Sequence, residues 1–379
     1  MLREIPAALI TELHSLEYGG PRGRLAFEAA LSVAVAVLCA LYLHSDQPWW
    51  AAISAFMVTQ SSLAASVPRA AMRIVGSAVG AGIAVIILGL FAYDPLPLCL
   101  CLFTMAWVGL FGFAVSRFAY AWLISAITGN LVILMALDQP QTAFSIAVNR
   151  VAEVAIGTGA SLLVALLLPE PAPGAGSPAA GRFSAPPLVF WSRRSTAAFE
   201  VWLRENWPLV LHACRGGLTV MLLPPLANWL APIGPSTMAI TAVAVMSIPT
   251  TAILEPDART VVQRAVHRVI GCVFGALLGL LCLHWVGDEF VVWLLLLMGG
   301  IWLGSQIQSG STGVSYVGTQ AALAFLLSMV QGQGPPLSIT PGLDRFGGIV
   351  AGLCVLLVIT MAMSLFRLPR SSGLPARSD

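Results

Sequence analysis

The sequence contains no lysine, and all nineteen basic residues are arginine. The phosphate-binding motif GxxxxGK[ST] requires a lysine, so the chain does not hydrolyse ATP through a P-loop of its own. Charged residues make up 9% of the 379 residues, whereas a soluble domain carries about 25%. This shortage of charge excludes an ordinary soluble domain, and we expect no nucleic-acid partner.

The seven cysteines include no CxxC pair and have no histidine at ligand spacing. They lie within or beside apolar runs, so neither a disulfide framework nor a zinc site is indicated. The apolar runs also lack paired carboxylates and a histidine with a carboxylate partner, which acid–base and metal chemistry would need. We therefore expect no metal, no cofactor and no enzymatic activity.

Apolar residues are abundant, at 58% of the chain, and the mean hydropathy is +0.87. The apolar runs are long and do not alternate with polar residues, which favours helices that cross a hydrocarbon core of about 30 Å. The predicted fold class is an all-α integral membrane protein, with about 12 transmembrane helices in two parallel six-helix repeats. The expected spans are residues 25–43, 49–66, 72–91, 97–115, 119–137 and 147–168, then 210–230, 235–252, 267–286, 291–308, 313–330 and 346–366.

A segment rich in Pro, Gly and Ala separates the two sets of spans. Residues 169–187 read PEPAPGAGSPAAGRFSAPP, a composition typical of a flexible linker. The sequence thus predicts a first repeat over 1–168 and a second over 188–379. Residues 188–207 mix Trp and Phe with Arg and Glu, and residues 1–18 have a similar character. We expect each repeat to begin with a helix in the membrane interface.

Two similar stretches identify the repeat. RIVGSAVGAG occupies residues 73–82, and RVIGCVFGAL occupies residues 268–277, which is 195 residues later. Arg150 and Arg345 stand at the same offset. With an even number of spans in each copy, both copies keep the same orientation. Glycines four residues apart let helix backbones approach closely, which is the plain interpretation of the pattern.

The distribution of arginine predicts the orientation in the membrane. If the amino terminus is cytoplasmic, seventeen of the nineteen arginines lie at or near the inner face, and only Arg150 and Arg345 lie at the outer side. The first apolar run is longer than the core of a signal peptide, so we expect it to remain as a span. The predicted location is the bacterial inner membrane, with both termini cytoplasmic and the lipid bilayer around the spans.

Ionisable groups within spans indicate function, because each costs at least about 2.5–3.5 kcal/mol at the centre of a helix. We predict that two repeat-related pairs bind an organic anion: Arg150 with Arg345, and Arg73 with Arg268. Arginine suits this task because its planar guanidinium donates two parallel hydrogen bonds to a carboxylate. The alternative for Arg73 and Arg268 is anchoring to lipid phosphate at the inner face.

The outer pair has its own alternative, which is contact of Arg150 and Arg345 with outer-leaflet phosphate or with nearby Asp138 and Asp344. Glu153 follows Arg150 by three residues on one helical face. It is a candidate for ion coupling, and the alternative is that it neutralises the arginine.

Aromatic and polar side chains supply the remaining candidates. Trp49 and Trp50 stand at the outer end of a span, where they either belong to an aromatic belt or stack on an aromatic substrate. Polar residues of the fifth span of each half are predicted to line the pathway, with hydrogen bonding between packed helices as the alternative. These residues are Tyr120, Thr128, Tyr316 and Gln320.

At these residues the sequence resembles the fusaric acid resistance family, which includes bacterial exporters of aromatic carboxylic acids. The resemblance covers almost all of the predicted membrane-embedded chain. Many bacterial relatives carry a sizeable cytoplasmic domain, which the short linker here cannot supply. Glu153 has Gly348 as its repeat counterpart, so an acidic role cannot be symmetric. The matching segments are PWWAAISA at 48–55, RAAMRIVGSAVGAG at 69–82, residues 120–129, and RVAEVAIGTG at 150–159.

The resemblance implies an inner-membrane exporter of aromatic or other weak organic acids. Such exporters often work with a periplasmic adaptor protein and an outer-membrane channel. A distant similarity to plant aluminium-activated malate channels is implied as well. The leading hypothesis is secondary active efflux of an anionic, aromatic carboxylic acid, driven by the proton motive force. The alternatives are a passive organic-anion channel and, less favoured, a membrane-embedded lipid-modifying enzyme.

Overall fold

The structure, a computed structural model, describes residues 4–168, 196–230, 234–254, 259–286, 289–332, 334 and 340–363. Throughout these ranges the regular structure is helical, which confirms the predicted all-α class. The predicted linker at 169–187 lies outside the described residues, so the domain boundaries stay a prediction.

The described residues of the first half contain seven α-helices. Proline in the first turn begins several of them, where its missing N–H costs nothing. The fourth helix begins instead at Ser62, whose hydroxyl accepts a hydrogen bond from the backbone N–H of Ala65 at 3.3 Å. The seven helices are α1 (Glu4–His14), α2 (Pro21–Tyr42), α3 (Pro48–Val58), α4 (Leu63–Phe91), α5 (Pro95–Val115), α6 (Ala119–Met135) and α7 (Ala143–Leu167).

The described residues of the second half contain eight further α-helices. They are α8 (Thr196–Met221), α9 (Leu223–Leu230), α10 (Pro235–Met246), α11 (Thr250–Leu254), α12 (Arg259–Val286), α13 (Phe290–Gln308), α14 (Ser315–Met329) and α15 (Thr340–Met363).

Eight helical segments of the described chain are long and apolar enough to cross a membrane, and four apolar helices are shorter. The expected continuous spans at 49–66 and 235–252 are wrong in extent. The helix α3 ends at Val58 after 11 residues and α10 ends at Met246 after 12. At 1.5 Å per residue these helices measure about 16–18 Å, short of a core of about 30 Å. The count of twelve spans stays a prediction.

A second correction concerns the beginning of the second half. The helix α8 runs unbroken from Thr196 to Met221, so the predicted interfacial helix at 188–207 and the span at 210–230 are not separate elements; residues 188–195 lie outside the described part. The break falls at Leu222 instead, just before Pro224 and Pro225 in the first turn of α9. Pro224 and Pro225 lack the backbone N–H groups that would extend the hydrogen-bond ladder of α8 beyond Met221, whereas a single proline, Pro208, is accommodated within the helix.

The helices of the two halves pack in the same pattern. The helix α4 packs on α6 and α12 packs on α14, while α3 packs on α7 and α10 packs on α15. The halves also interlock, because α5 packs on α8 and α13 packs on α2. This repetition of contacts is what a tandem repeat predicts, and it places the cores between the halves as well as within them.

The repeated glycines lie at these close helix contacts, as the plain packing interpretation predicts. A Cβ atom on Gly76 would lie 2.5 Å from the carbonyl oxygen of Ala121 on α6. A Cβ on Gly271 would lie 2.5 Å from the carbonyl oxygen of Val317 on α14. Glycine is required at both positions because the facing backbone leaves no room for a methyl group.

The helix α1 is fixed to the connection between α13 and α14. Glu12 is 1% exposed, and its carboxylate accepts hydrogen bonds from Arg22 Nη2 at 2.8 Å and from the backbone N–H of Thr312 at 2.9 Å. Arg22 Nη2 also donates to the backbone oxygen of Gln306 at 2.8 Å. Burial alone would raise the pKa of Glu12, but the hydrogen bonds from Thr312 and the nearby Arg22 outweigh it and hold that pKa below 4.5.

Replacing Glu12 with glutamine should make the protein less sensitive to acid. A carboxyl whose pKa is lowered by folding stabilises the fold above its ordinary value of 4.5, and this stabilisation is lost as the pH falls through the lowered pKa. Thermal unfolding from pH 7 down to pH 3 should show a smaller drop in midpoint for the variant than for the wild type. The exposed Glu289 is the control, and an equal effect of Glu289→Gln would contradict the assignment.

Candidate functional site

Two arginines of α4 enclose a tyrosine of α6. Arg73 is 5% exposed, and its Nη1 donates to the hydroxyl oxygen of Tyr120 at 2.6 Å. One turn earlier, the Arg69 guanidinium lies 4.5 Å from the centroid of the Tyr120 ring. Arg69 Nε also donates to the carbonyl oxygen of Met57 at 2.8 Å, in the last turn of α3. The guanidinium of Arg69 thus pairs with a carbonyl group at the C-terminal end of α3, where a positive charge is favourable. We call Arg69, Arg73 and Tyr120 the first Tyr–Arg site.

The second half contains a counterpart. Arg268 of α12 is 6% exposed, and it donates to Gln320 Oε1 at 2.6 Å and to Thr241 Oγ1 at 3.1 Å. The Arg264 guanidinium lies 4.1 Å from the centroid of the Tyr316 ring. We call Arg264, Arg268, Tyr316 and Gln320 the second Tyr–Arg site. The structure therefore brings Arg73 together with Tyr120 and Arg268 together with Gln320, and each pair joins a predicted anion-binding arginine to a predicted pathway residue of the same half.

The positive charges of both Tyr–Arg sites have only neutral partners in the described part of the protein. The ion pairs between described residues are Arg22 with Glu12 and Arg150 with Glu153. Removing a cation from water without a counter-charge is costly. Several buried donors of the two sites also have no hydrogen-bond partner in this part of the chain. They are the Nε atoms of Arg73, Arg264 and Arg268 and the hydroxyl of Tyr316.

The two Tyr–Arg sites lie at matching heights. Arg73 precedes the end of α4 at Phe91 by 18 residues, and Arg268 precedes the end of α12 at Val286 by the same number. Eighteen residues of helix measure about 27 Å. In the predicted orientation both sites therefore lie near the cytoplasmic boundary of a core of about 30 Å.

The opposite end of the bundle contains Arg150, which is 3% exposed on α7. Its Nη1 lies 3.1 Å from Glu153 Oε2, and its Nη2 donates to Gln47 Oε1 at 2.7 Å. Its guanidinium lies 4.4 Å from the centroid of the Trp50 ring. Glu153 Oε1 accepts hydrogen bonds from Ser45 Oγ and from the backbone N–H of Gln47, both at 2.9 Å. This geometry is that of neutralisation of Arg150 by Glu153.

Arg345 of α15 lies beside Trp49, the residue before Trp50 in α3. Its guanidinium is 4.7 Å from the centroid of the Trp49 ring, and its Nη1 donates to the carbonyl oxygen of Leu327 at 2.7 Å. We call Trp49, Trp50, Arg150 and Arg345 the Trp–Arg site. Asp138 and Asp344 were the alternative partners of these arginines. The described ion pairs do not include either aspartate.

The helix α6 connects the two ends. Tyr120 at its start belongs to the first Tyr–Arg site, and the sulfur of Met135 at its end lies 3.8 Å from Arg150 Nη2. These positions are about 22 Å apart along the helix. Between them, Thr128 donates to Ser77 Oγ on α4 at 3.4 Å. Thr128 thus bonds between packed helices, as the alternative interpretation expects, and its role in a pathway stays a prediction.

Sequence reasoning did not single out Arg69, Arg264 or Gln47. A usable signal existed for the two arginines, because Arg69 and Arg264 stand at the same offset of 195 residues, one turn before Arg73 and Arg268. The role of Gln47 follows from a turn before α3 and has no pattern in the sequence. The tryptophan rings lie against guanidinium groups, an arrangement that neither interpretation of Trp49 and Trp50 included.

Long apolar helices, with buried arginines at two levels, define a multi-span helical membrane protein. A model of the fusaric acid resistance protein family matches residues 24–182, and a model described as fusaric acid resistance protein-like matches residues 226–359. The chain belongs to the fusaric acid resistance protein family, as the sequence motifs indicate.

Similar curated proteins bear the name "Uncharacterized transporter YdhK". The protein of this name from Salmonella typhimurium is 30% identical over 158 residues, which cover 40% of this chain and 23% of the relative. The one from Escherichia coli K12 is 27% identical over 153 residues, covering 39% of this chain and 22% of the relative. The matched region is thus less than a quarter of the length of these relatives. No solved structure gives a significant match to the chain.

Proposed function

We propose that this protein is an inner-membrane efflux transporter of organic anions, in particular aromatic carboxylates, driven by the proton motive force. The observation that carries the proposal is the burial of Arg73 and Arg268, whose partners among the described residues are all neutral. A carboxylate that enters a Tyr–Arg site supplies the missing negative charge. The family match and the transporters named among the relatives support a transport function.

The chemistry of the Tyr–Arg sites fits a carboxylate. Guanidinium donors form short, charge-assisted hydrogen bonds with carboxylate oxygens, often two at once. In the first site, Arg73 and Arg69 contact opposite parts of Tyr120, its hydroxyl and its ring. This arrangement holds both cations close together without an acidic residue between them. An anion is therefore bound by two cations that are already oriented.

The short helices support a pathway between the halves. Broken helices commonly hold the substrate sites of transporters. The helix α3 ends beside Arg69, and α10 ends where His212 Nε2 lies 2.6 Å from the carbonyl oxygen of Met246. We propose that substrate passes along these helix ends toward the Trp–Arg site. A periplasmic adaptor and an outer-membrane channel are the proposed partners beyond the membrane.

Replacing Arg73 and Arg268 together with glutamine should lower the initial rate of benzoate transport into proteoliposomes with an imposed pH gradient by at least roughly tenfold. Loss of a single hydrogen bond to a charged group already costs about 1.5–3 kcal/mol, and about 1.4 kcal/mol corresponds to a factor of ten. Lysine at the same positions should retain part of the rate, because it keeps the charge and loses the planar fork.

Arg117→Gln is the matched control, since this exposed arginine of the α5–α6 connection has the ring of Phe118 as its partner among the described residues. A double variant of Arg73 and Arg268 that transports benzoate at the wild-type rate, at equal protein density, would refute the proposed site. Benzoate that only equilibrates with its electrochemical gradient, and is never concentrated, would favour a passive channel.

A further inference from the structure

We propose that the Trp–Arg site holds one binding position for an organic carboxylate, formed by Arg345 against the ring of Trp49, and that Arg150 is a structural residue. The two arginines occupy equivalent places in the repeat, and sequence alone treats them as a pair. The structure gives them different surroundings. The role of this position in transport rests on the proposed function, but binding to Arg345 can be measured without it.

Arg150 is enclosed and already neutralised by Glu153, although its Nε has no hydrogen-bond partner among the described residues. It is buried on every side, it is paired with Glu153, and its Nη2 is bonded to Gln47. Glu153 is itself bound by two further donors, Ser45 and the backbone of Gln47. A carboxylate that approached Arg150 would meet the negative charge of Glu153 at 3.1 Å from the same guanidinium. Like charges at this distance repel strongly in a poorly hydrated environment.

Arg345 is open by comparison. Its side chain is only half-buried, and its partners among the described residues are one carbonyl oxygen and one aromatic ring. The carboxylate that neutralises Arg150 has no counterpart here, because Gly348 takes the place of Glu153 in the second half. Among the described residues, the Nε and Nη2 donors of Arg345 have no hydrogen-bond acceptor, and these two donors form one edge of the planar fork that binds a carboxylate.

Trp49 holds the guanidinium of Arg345. The Cζ atom of Arg345 lies over the indole ring, 4.7 Å from its centroid, and a cation–π contact of this kind uses none of the hydrogen-bond donors of the guanidinium. The ring itself packs against the hydrophobic core that includes α2, α3 and α13, so its orientation is held by the fold. Trp49 is thus a positioning residue for Arg345, much as Trp50 is for Arg150.

The position also joins the two halves of the protein. Trp49 and Trp50 are consecutive residues of α3 in the first half, whereas Arg345 belongs to α15 in the second. A carboxylate on Arg345 therefore lies at the contact between halves, beside a neutral Arg150–Glu153 pair. The Trp–Arg site therefore binds one anion, on Arg345, and not one anion on each of the two arginines. At this site the two repeats are not equivalent.

Phenylglyoxal, which modifies accessible guanidinium groups, tests this assignment on the purified full-length protein. Peptide mass spectrometry after limited reaction should show that Arg345 is modified and Arg150 is not. Sodium benzoate should slow the modification of Arg345 by a factor of one plus its concentration over Kd, which is about tenfold near ten times Kd. Benzyl alcohol, which has the ring and no carboxylate, should give no protection at the same concentration.

Trp49→Leu should weaken the protection of Arg345 by benzoate, and Trp50→Leu should make Arg150 reactive. An unreactive Arg345, a reactive Arg150 in the wild type, or equal protection by benzyl alcohol would each overturn the proposal. Protection of Arg345 combined with a lack of uphill benzoate transport would refute the proposed function and leave the binding position intact. Uphill benzoate transport without protection of Arg345 would refute the binding position and leave the proposed function intact.

Discussion

Replacing Arg150 with glutamine should lower the free energy of unfolding by about 3–5 kcal/mol, because it leaves the carboxylate of Glu153 buried without its cation. Glu153 is 1% exposed, and after the substitution its partners would be Ser45 and the backbone of Gln47 alone. Two neutral hydrogen bonds do not replace a guanidinium 3.1 Å away. The variant should unfold at lower denaturant concentration, with the same slope, in detergent or lipid bicelles.

The double variant Arg150→Gln, Glu153→Gln should recover most of that loss. Removal of both charges leaves a neutral pair, and neutral groups cost much less to bury than an unpaired carboxylate. The cycle formed by the two single variants and the double variant isolates the coupling between the residues. A double variant as unstable as Arg150→Gln would show that Glu153 is not what the arginine stabilises.

Arg345→Gln is the comparison that the repeat supplies. No described carboxylate depends on Arg345, and its loss removes a bond to the Leu327 carbonyl and a contact with Trp49. We expect a cost of about 1–2 kcal/mol from these neutral contacts. Equal destabilisation by Arg345→Gln and Arg150→Gln would contradict the division of roles between the two arginines.

The repeat made much of the Tyr–Arg sites predictable. Arg73 and Arg268 are repeat-related by one offset in the sequence, and their partners Tyr120 and Gln320 are among the residues that the sequence predicts to line the pathway. Helices packed side by side bring such residues together whenever the glycines between them allow close contact. Local pattern and tertiary contact agree here because α4 with α6, and α12 with α14, lie close along the chain.

The Trp–Arg site was predictable only in part. The absence of an acid at Gly348 was visible in the sequence, but the contact of Arg345 with Trp49 joins residues almost 300 positions apart. No periodicity encodes a contact of that kind. The ends of α3 and α10 were missed for another reason. Each of these helices is followed by only three or four non-helical residues, 59–62 and 247–249. An interruption this short does not stand out within a longer apolar run.

Replacing Gly157 with alanine should destabilise the protein by about 1–3 kcal/mol, the usual cost of an overpacked contact. The added Cβ would overlap the carbonyl oxygen of Ala51, so α3 would have to move away from α7. A backbone carbonyl group cannot move aside as the end of a flexible side chain can. Because α3 also carries Trp49 and Trp50, the shift should loosen the Trp–Arg site, which reactivity of Arg150 toward phenylglyoxal would report.

Gly159, two residues further along α7, is the matched control, since a Cβ at that position meets nothing within 4 Å. Alanine there should be neutral or should stabilise by up to about 1 kcal/mol, the difference in helix propensity between alanine and glycine. The same unfolding measurement on both variants separates packing from propensity, because the chemical change is identical. If Gly157→Ala were as stable as Gly159→Ala, the close contact between α3 and α7, and with it the position of the two tryptophans, would be wrong.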